Sequence, residues 1–475
     1  MINKLKQFIE RMKEKLLPKN DINKALGLDI ALSSDMANAI QGWLNIAENK
    51  PPWVNEESGV YSLKLPNAIV REFYNTVTSE LKTSITNNEF LEEQYKYVID
   101  DMSEWLQNAL LKGGIALKPY IKNDEIFVDY VDAESFFPVS YDGRKRITAG
   151  VFVEHIVKGK TLYTRLEFQK YEDHVHTFVN VAYAKKNYDN SNFQRDGSLG
   201  NQISLTDVPE WEELETEFTI SNVDKPLFAY WRVPVLNDVD TTSPLGVPIY
   251  HPATDLIQKA DEQYGRYIWE FEGGELAVHA SEDLFEVDSN DKPKLPEGKK
   301  RLYRPLEVDS SSGNKSGKLP MDVFSPSLRD ENYANGYNNI LKRIEFNCGL
   351  SYGDLSDPQA LEKTAQEIRT SKQRKYATVT AIQTTLQSAL EHLVYILNIY
   401  AIGLNRSNLK EVELEINWGD SVLVDSETQR AIDMQEVAAG LLPKWRYKMK
   451  WQGLTEEQAK AEVNEENENG IEYED

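Results

Sequence analysis

The chain has 475 residues, 40% of them hydrophobic, so it can bury a real core, and its length suits roughly two to four compact regions. A formal charge of −24 and a pI near 4.8 argue against tight gripping of nucleic acid, which needs clustered Lys and Arg, yet leave room for a surface over which a duplex slides. The single Cys348 excludes an intrachain disulfide and fits a reducing compartment, leaving only pairing between subunits.

Residues 1–17 pattern as an amphipathic basic helix (Phe8, Ile9, Met12, Leu16), with no long apolar run or small-residue cleavage site, so secretion is not expected. Helices are expected over 33–48, capped at Ser33 or Ser34, over 67–81 (Ile69, Phe73, Val77, Leu81) and over 90–111 (Tyr95, Val98, Met102, Trp105), the last stopped by Gly113-Gly114. The period then changes to two. Strands are expected over 115–120, 126–131, 149–155, 163–169 and 177–183, with turns at Asn123-Asp124, Asp142-Gly143 and Gly159-Lys160. Residues 185–217 are polar and acidic and look like an excursion, and 228–235 is a strand again. The first half therefore has a helical opening and an α+β body.

The stretch from 245 to 404 carries the most information. A helix following Gly246 and Pro248 places Ile249, Ala253, Leu256, Ala260, Tyr264, Tyr267 and Phe271 on one face and stops at Gly273-Gly274. Strands at 276–278, 284–287 and 302–308 and a Ser/Gly/Asn/Lys linker at 309–318 form an insertion. A second helix starts near Pro326-Ser327, carries Tyr333, Tyr337, Leu341 and Ile344, and stops at Gly349. In the loop that follows, Ser356 or Asp357 can cap a third helix and Pro358 suits its first position. No Gly or Pro then occurs before Gly403, and a helix over 359–402 would reach about 65 Å, polar in its first half and apolar in its second. Residues 412–418 alternate as a strand returning to the α+β body. Helices are expected over 426–439 and 444–451, with a short one from Thr455 and a disordered acidic tail beyond. The most apolar run, 393–404, contains Asn398 and falls short of the roughly 20 residues a bilayer needs, so a soluble protein without a membrane partner is expected.

Enzymatic motifs are nearly missing. Gly313-Asn314-Lys315-Ser316-Gly317-Lys318-Leu319 is one residue too short between glycines for a phosphate loop, has Leu in place of the metal-binding hydroxyl, and is followed by Pro320. His174-Val175-His176 would put two imidazoles on one strand face, but spacing indicates no third ligand, so neither metal nor cofactor is expected. Acid pairs such as Asp100-Asp101 and Glu212-Glu213 are swamped by 77 acids. The cluster Arg369, Lys372, Arg374 and Lys375 reads either as a DNA-facing basic ring in an oligomer or as a solvated helix face paired with Glu362 and Glu367.

The order helix, β insertion, helix, loop and long helix resembles the portal proteins of tailed bacteriophages that infect Gram-positive bacteria. The resemblance is most specific at Gly349-Leu350-Ser351-Tyr352-Gly353-Asp354-Leu355-Ser356-Asp357-Pro358-Gln359, followed by Lys363-Thr364-Ala365-Gln366-Glu367-Ile368 and Ser371-Lys372-Gln373-Arg374. It implies a ring, usually of twelve subunits, at one capsid vertex of the virion, through which terminase drives double-stranded DNA and from which DNA is later ejected. It further implies contacts with head-completion or adaptor, major capsid and scaffolding proteins, and no catalytic residue, because the packaging ATPase resides in terminase.

By that resemblance the fold class is an α+β portal fold. Residues 1–244 and the strand within 405–424 form a wing, 245–272 and 326–348 paired stem helices, and 273–325 a β-rich clip with interface residues Leu302, Tyr303, Leu306 and Val308. Residues 349–358 hold a tunnel loop, with Ser351, Tyr352, Gly353, Asp354 and Leu355 lining the DNA channel; 359–404 is a spine helix, 425–462 a helical crown and 463–475 a disordered tail. The competing readings are an acidic carbohydrate-active or peptidoglycan-cleaving hydrolase using a carboxylate pair, and a capsid or connector component without paired stem helices.

Overall fold

The computed structural model describes residues 19–55, 57, 59–186, 199–281, 303–306, 321–357, 365–408, 410–419 and 426–469. The basic helix expected over 1–17, the strand at 284–287 and the glycine-flanked 313–319 segment lie outside these residues. The helix Ser34–Ala47 begins where its cap requires, with the Met36 amide donating to the Ser33 hydroxyl at 3.2 Å. Leu65–Thr78 follows. The single helix expected over 90–111 is instead two, Glu89–Asp100 and Met102–Lys112. The buried Trp105 indole donates to the Val98 carbonyl at 2.9 Å, the acceptor that a continuous helix would offer to the Met102 amide.

Alternation becomes sheet because each strand buries one face. Gly114–Lys122 lies between Ala229–Arg232 and Glu125–Asp132 in an antiparallel three-stranded sheet, with Asn123 and Asp124 both at positive φ in the hairpin turn. A larger antiparallel sheet runs Phe136–Tyr141, Ile147–Lys158, Thr161–Glu172, Val175–Lys186. Its first strand was not expected from the sequence. The polar excursion is corrected too. Residues 187–198 lie outside the described chain, but Asn201–Ile203 and Glu217–Ser221 both pair back onto Val175–Lys186. Trp211, Leu205 and Val208 pack with Ala182 and anchor this return, apolar residues that the surrounding acids masked in composition.

His174 and His176 do not share a strand face. His174 sits in the turn at φ 63°, whereas His176 is buried in the strand and receives the Leu227 amide on Nδ1 at 3.3 Å. Burial pushes the His176 imidazole down to about 3. Among the described residues no three His, Cys, Asp or Glu side chains could together hold a metal.

The long helix is Ala365–Gly403, 39 residues and about 58 Å. Residues 358–364, where its first turns were expected, lie outside the described residues. Val379, Ile382, Leu386, Leu390, Leu393 and Leu397 are buried in the main core with Leu65–Thr78, Glu89–Asp100 and the three-stranded sheet. Hydrogen bonds fix its rotation: Trp231 Nε1 donates to Thr385 at 3.1 Å and His392 Nε2 to the Pro226 carbonyl at 2.8 Å. Beyond it, Leu414–Asn417 pairs antiparallel with Lys82–Ile85, a strand not foreseen in the sequence.

The insertion carries a three-stranded sheet of Tyr303–Leu306, Ala277–Ser281 and Met321–Phe324, the last also unforeseen. At the C-terminal end, Ser426–Ala438 and Lys444–Gln452 precede Glu456–Asn469, which is helical across 463–469 where disorder was expected. A reciprocal cap between Thr455 and Gln458, and Glu456 and Glu457 in the first turn, favour that helix.

Candidate functional site

Two helices of similar length, Thr254–Gly273 and Asp330–Cys348, pack side by side and flank the inserted sheet. Tyr264 and Tyr337 meet between them at 5.8 Å. At the sheet end, the Arg329 guanidinium grips Glu270 with two donors, at 3.0 and 2.6 Å, and holds that carboxyl below its usual range. Nearer the body, buried Asp261 accepts from the Trp53 indole at 2.8 Å and the Leu63 amide at 3.0 Å, while burial pushes its carboxyl up. The two helices are therefore tied to each other at the sheet end, and the first is tied to the body through Asp261.

The second helix ends at Gly349, whose φ of +81° suits a left-handed cap. A Cβ there would come 2.3 Å from Thr378 Oγ1 of the long helix, so Gly is needed for the close approach as well. Leu350 is buried, and the chain then turns tightly, the Asp354 amide donating to the Ser351 carbonyl at 3.2 Å.

Glu345, one turn before the helix end and fully buried, holds this turn. Its Oε1 accepts from the amides of Gly353 at 3.1 Å, Leu355 at 2.7 Å and Ser356 at 2.7 Å, and its Oε2 from the Ser356 hydroxyl at 2.9 Å. Asn338 adds a bond from the Asp357 amide at 2.8 Å. A buried carboxylate is tolerated only when its lone pairs are met, and here the loop backbone meets them.

The long helix grips the same turn from the other side. Lys375 Nζ lies 3.0 Å from Asp354 Oδ2, and Ser351 donates its amide to the same carboxylate at 2.9 Å. Arg374 donates to the Leu350 carbonyl at 3.0 Å, its guanidinium lying 4.7 Å from the Phe346 ring and 4.9 Å from the Tyr352 ring. Ser351, Tyr352, Gly353, Asp354 and Leu355 thus share one braced, half-buried turn.

The basic cluster divides. Arg374 and Lys375 are bonded to the turn and Lys372 is exposed, while the Arg369 side chain lies outside the described residues. Tyr303 and Leu306 stand in a strand of the inserted sheet; Leu302 and Val308 lie outside the described residues. Cys348 is buried and its thiol pushed up to about 12, which sets it against pairing between subunits. Sequence reasoning missed Glu345 and Asn338. Glu345 falls four after Leu341 and three before Cys348, so it is an acid on the apolar face of its helix, a signal that spacing carries.

Comparison with known proteins gives a family. The model described as phage portal protein, SPP1 Gp6-like, matches residues 73–473, which include the paired helices, the braced turn and the long helix. No curated protein matches. Among solved structures, a chain from the neck of a native GTA particle computed with C12 symmetry is similar at 11% identity, over 94% of this chain and 98% of that one, with a TM-score of 0.37. The matched family is structural and non-enzymatic, and it lends no support to the carbohydrate-cleaving alternative.

Proposed function

Since the chain belongs to the SPP1 Gp6-like family of phage portal proteins, we propose that it forms a ring-shaped channel at one capsid vertex, through which terminase packages double-stranded DNA and from which DNA is later ejected. The observation that carries this reading is the family match over 73–473, which takes in the whole series of helix, inserted sheet, helix, braced turn and long helix.

In this reading the ring has about twelve copies and closes through cyclic symmetry. Thr254–Gly273 and Asp330–Cys348 are the stem helices, and the sheet between them is the clip that meets terminase and then head-completion proteins. Residues 1–244 with the strand Leu414–Asn417 form the wing toward capsid and scaffolding proteins, and 425–462 the crown. The turn Ser351 to Leu355 faces the DNA path. A charge of −24 per copy makes a wall over which phosphates slide.

Native mass spectrometry of the purified chain with negative-stain imaging tests the reading. Rings of about a dozen copies with a central hole are expected. A monomer at every concentration, in the presence of its head proteins as well, would overturn it.

A further inference from the structure

Lys342 and Arg343 stand side by side on the second paired helix and line an open recess of about 550 Å³ together with Asn339, one turn earlier, and Tyr352 of the braced turn. Neither cation has an ion-pair partner among the described residues. Arg329, Lys375 and Lys112, by contrast, each meet a carboxylate. Other described cations, Arg71, Lys82 and Lys96 among them, also lack an ion pair, but Lys342 and Arg343 are adjacent and share a recess whose lining holds no carboxylate, an arrangement that suits an anion from outside the chain.

The lining is all hydrogen-bond donor chemistry: an ammonium, a guanidinium, a carboxamide and a phenol, with no carboxylate among the four. Arg and Tyr also occur at the centre of protein–protein interfaces, but Lys is depleted there and an adjacent pair of cations needs an anionic partner. Lys, Arg, Asn and Tyr side chains are, by contrast, the groups that take phosphate oxygens along a nucleic-acid backbone. The wall is also preformed, since Arg374 lies against the Tyr352 ring and is itself tied to the Leu350 carbonyl.

We propose that this recess receives two neighbouring phosphodiester groups of double-stranded DNA, with Lys342 and Arg343 as their charged contacts. The proposal rests on the portal reading and deepens it, moving the basic contact from the long helix, where Arg374 and Lys375 brace the turn, to the second paired helix. The contact is weak by design of charge. Two neutralised phosphates give a slope of about −1.8 in log affinity against log salt, so one recess loses about twelve-fold between 50 and 200 mM. A contact of that strength touches passing DNA and releases it.

The test places a benzophenone side chain at exposed position 339 of the full-length chain, assembles DNA-filled heads and irradiates them. Cross-links to DNA are expected, reduced about ten-fold when Lys342→Gln and Arg343→Gln are added. Cross-links only to a second copy or to another head protein, or none at all, overturn the proposal. If the substituted chain does not assemble, ultraviolet cross-linking of the unsubstituted chain and mapping of nucleotide adducts decides: adducts on the peptide spanning 339–352 support it, and adducts only elsewhere overturn it. Absence of the unsubstituted chain from DNA-filled heads is a separate outcome, which takes down the portal reading and this proposal with it.

Discussion

Replacing Glu345 by Ala removes the acceptor for three backbone amides and one hydroxyl of the turn, all within 2.7 to 3.1 Å. A hydrogen bond to a charged acceptor contributes about 1.5–3 kcal/mol net, but four bonds to one carboxylate are coupled and do not simply add. Glu345→Ala removes the charge itself and leaves three amides and a hydroxyl without their acceptor; at about 1–3 kcal/mol for each buried unsatisfied donor, with the half-buried ones partly rehydrated, it costs about 3–5 kcal/mol. Glu345→Gln is milder. One oxygen stays for the amides of Gly353, Leu355 and Ser356, while the Ser356 hydroxyl can reverse to accept from the new NH₂, leaving mainly the loss of charge assistance, about 1–2 kcal/mol.

The cost falls on local opening of the turn rather than on the whole chain, so amide hydrogen exchange over 350–357 is the assay. A change of about 3 kcal/mol accelerates exchange more than a hundred-fold in the Ala variant, with the Gln variant about ten-fold. Exchange in Glu345→Ala within about three-fold of wild type would refute the reasoning, because the carboxylate would then be worth under 1 kcal/mol to the turn.

Gly349→Ala forces a side chain into a left-handed conformation and against Thr378 Oγ1, and should cost about 1–3 kcal/mol, partly recovered by Thr378→Ala; an unchanged thermal midpoint would count against it. Cys348, with its thiol raised to about 12 by burial, should resist a thiol reagent at pH 8 until the protein is unfolded, and stoichiometric labelling of the native chain would contradict that. Burial also depresses His176 to about 3 and His392 to about 4. Both are held neutral in the fold while the unfolded chain protonates near 6.5, so their contribution to stability is whole above that pH and is lost as pH falls from 6.5 to about 4 for His392 and about 3 for His176. At pH 4.5 this amounts to about 2–3 kcal/mol for His176. Imidazole resonances in a ¹³C-histidine-labelled sample at pH 5 should include two still neutral; six titrating together would refute it.

What the sequence showed best was what short-range periodicity controls. The paired helices and the long helix are where the spacing of Tyr264, Tyr337 and Leu386 places them, and the Asn123-Asp124 turn closes the expected hairpin. What it hid were pairings made at long range. Lys82–Ile85 is a strand because Leu414–Asn417 lies beside it more than three hundred residues later, and Glu217–Ser221 because Val175–Lys186 offers an edge. Strands of four or five residues and mixed composition carry no alternation long enough to read. The helix break at Asp101 is local by contrast, but it too was hidden, since Trp105 looked like one more core residue until its indole found the Val98 carbonyl seven residues back.

The site repeats this lesson with charge. Arg374 and Lys375 were conspicuous because they cluster, yet the turn fixes their direction: Leu350 offers a carbonyl and Asp354 a carboxylate on the side the long helix faces. Lys342 and Arg343 drew no attention in a string of mixed residues, and they line the open recess. Sequence counts charges, but only the fold says which are consumed internally. Among the described residues many cations lack an internal acid, Arg71, Lys82 and Lys96 among them, so what marks Lys342 and Arg343 is that they share one recess with no carboxylate in its lining, where an external polyanion can act. Bracing and charged contact thereby fall to different residues, so weakening Lys342 and Arg343 should alter DNA contact while leaving exchange in 350–357 as it was, whereas Glu345→Ala, which loosens the turn carrying Tyr352, should change both.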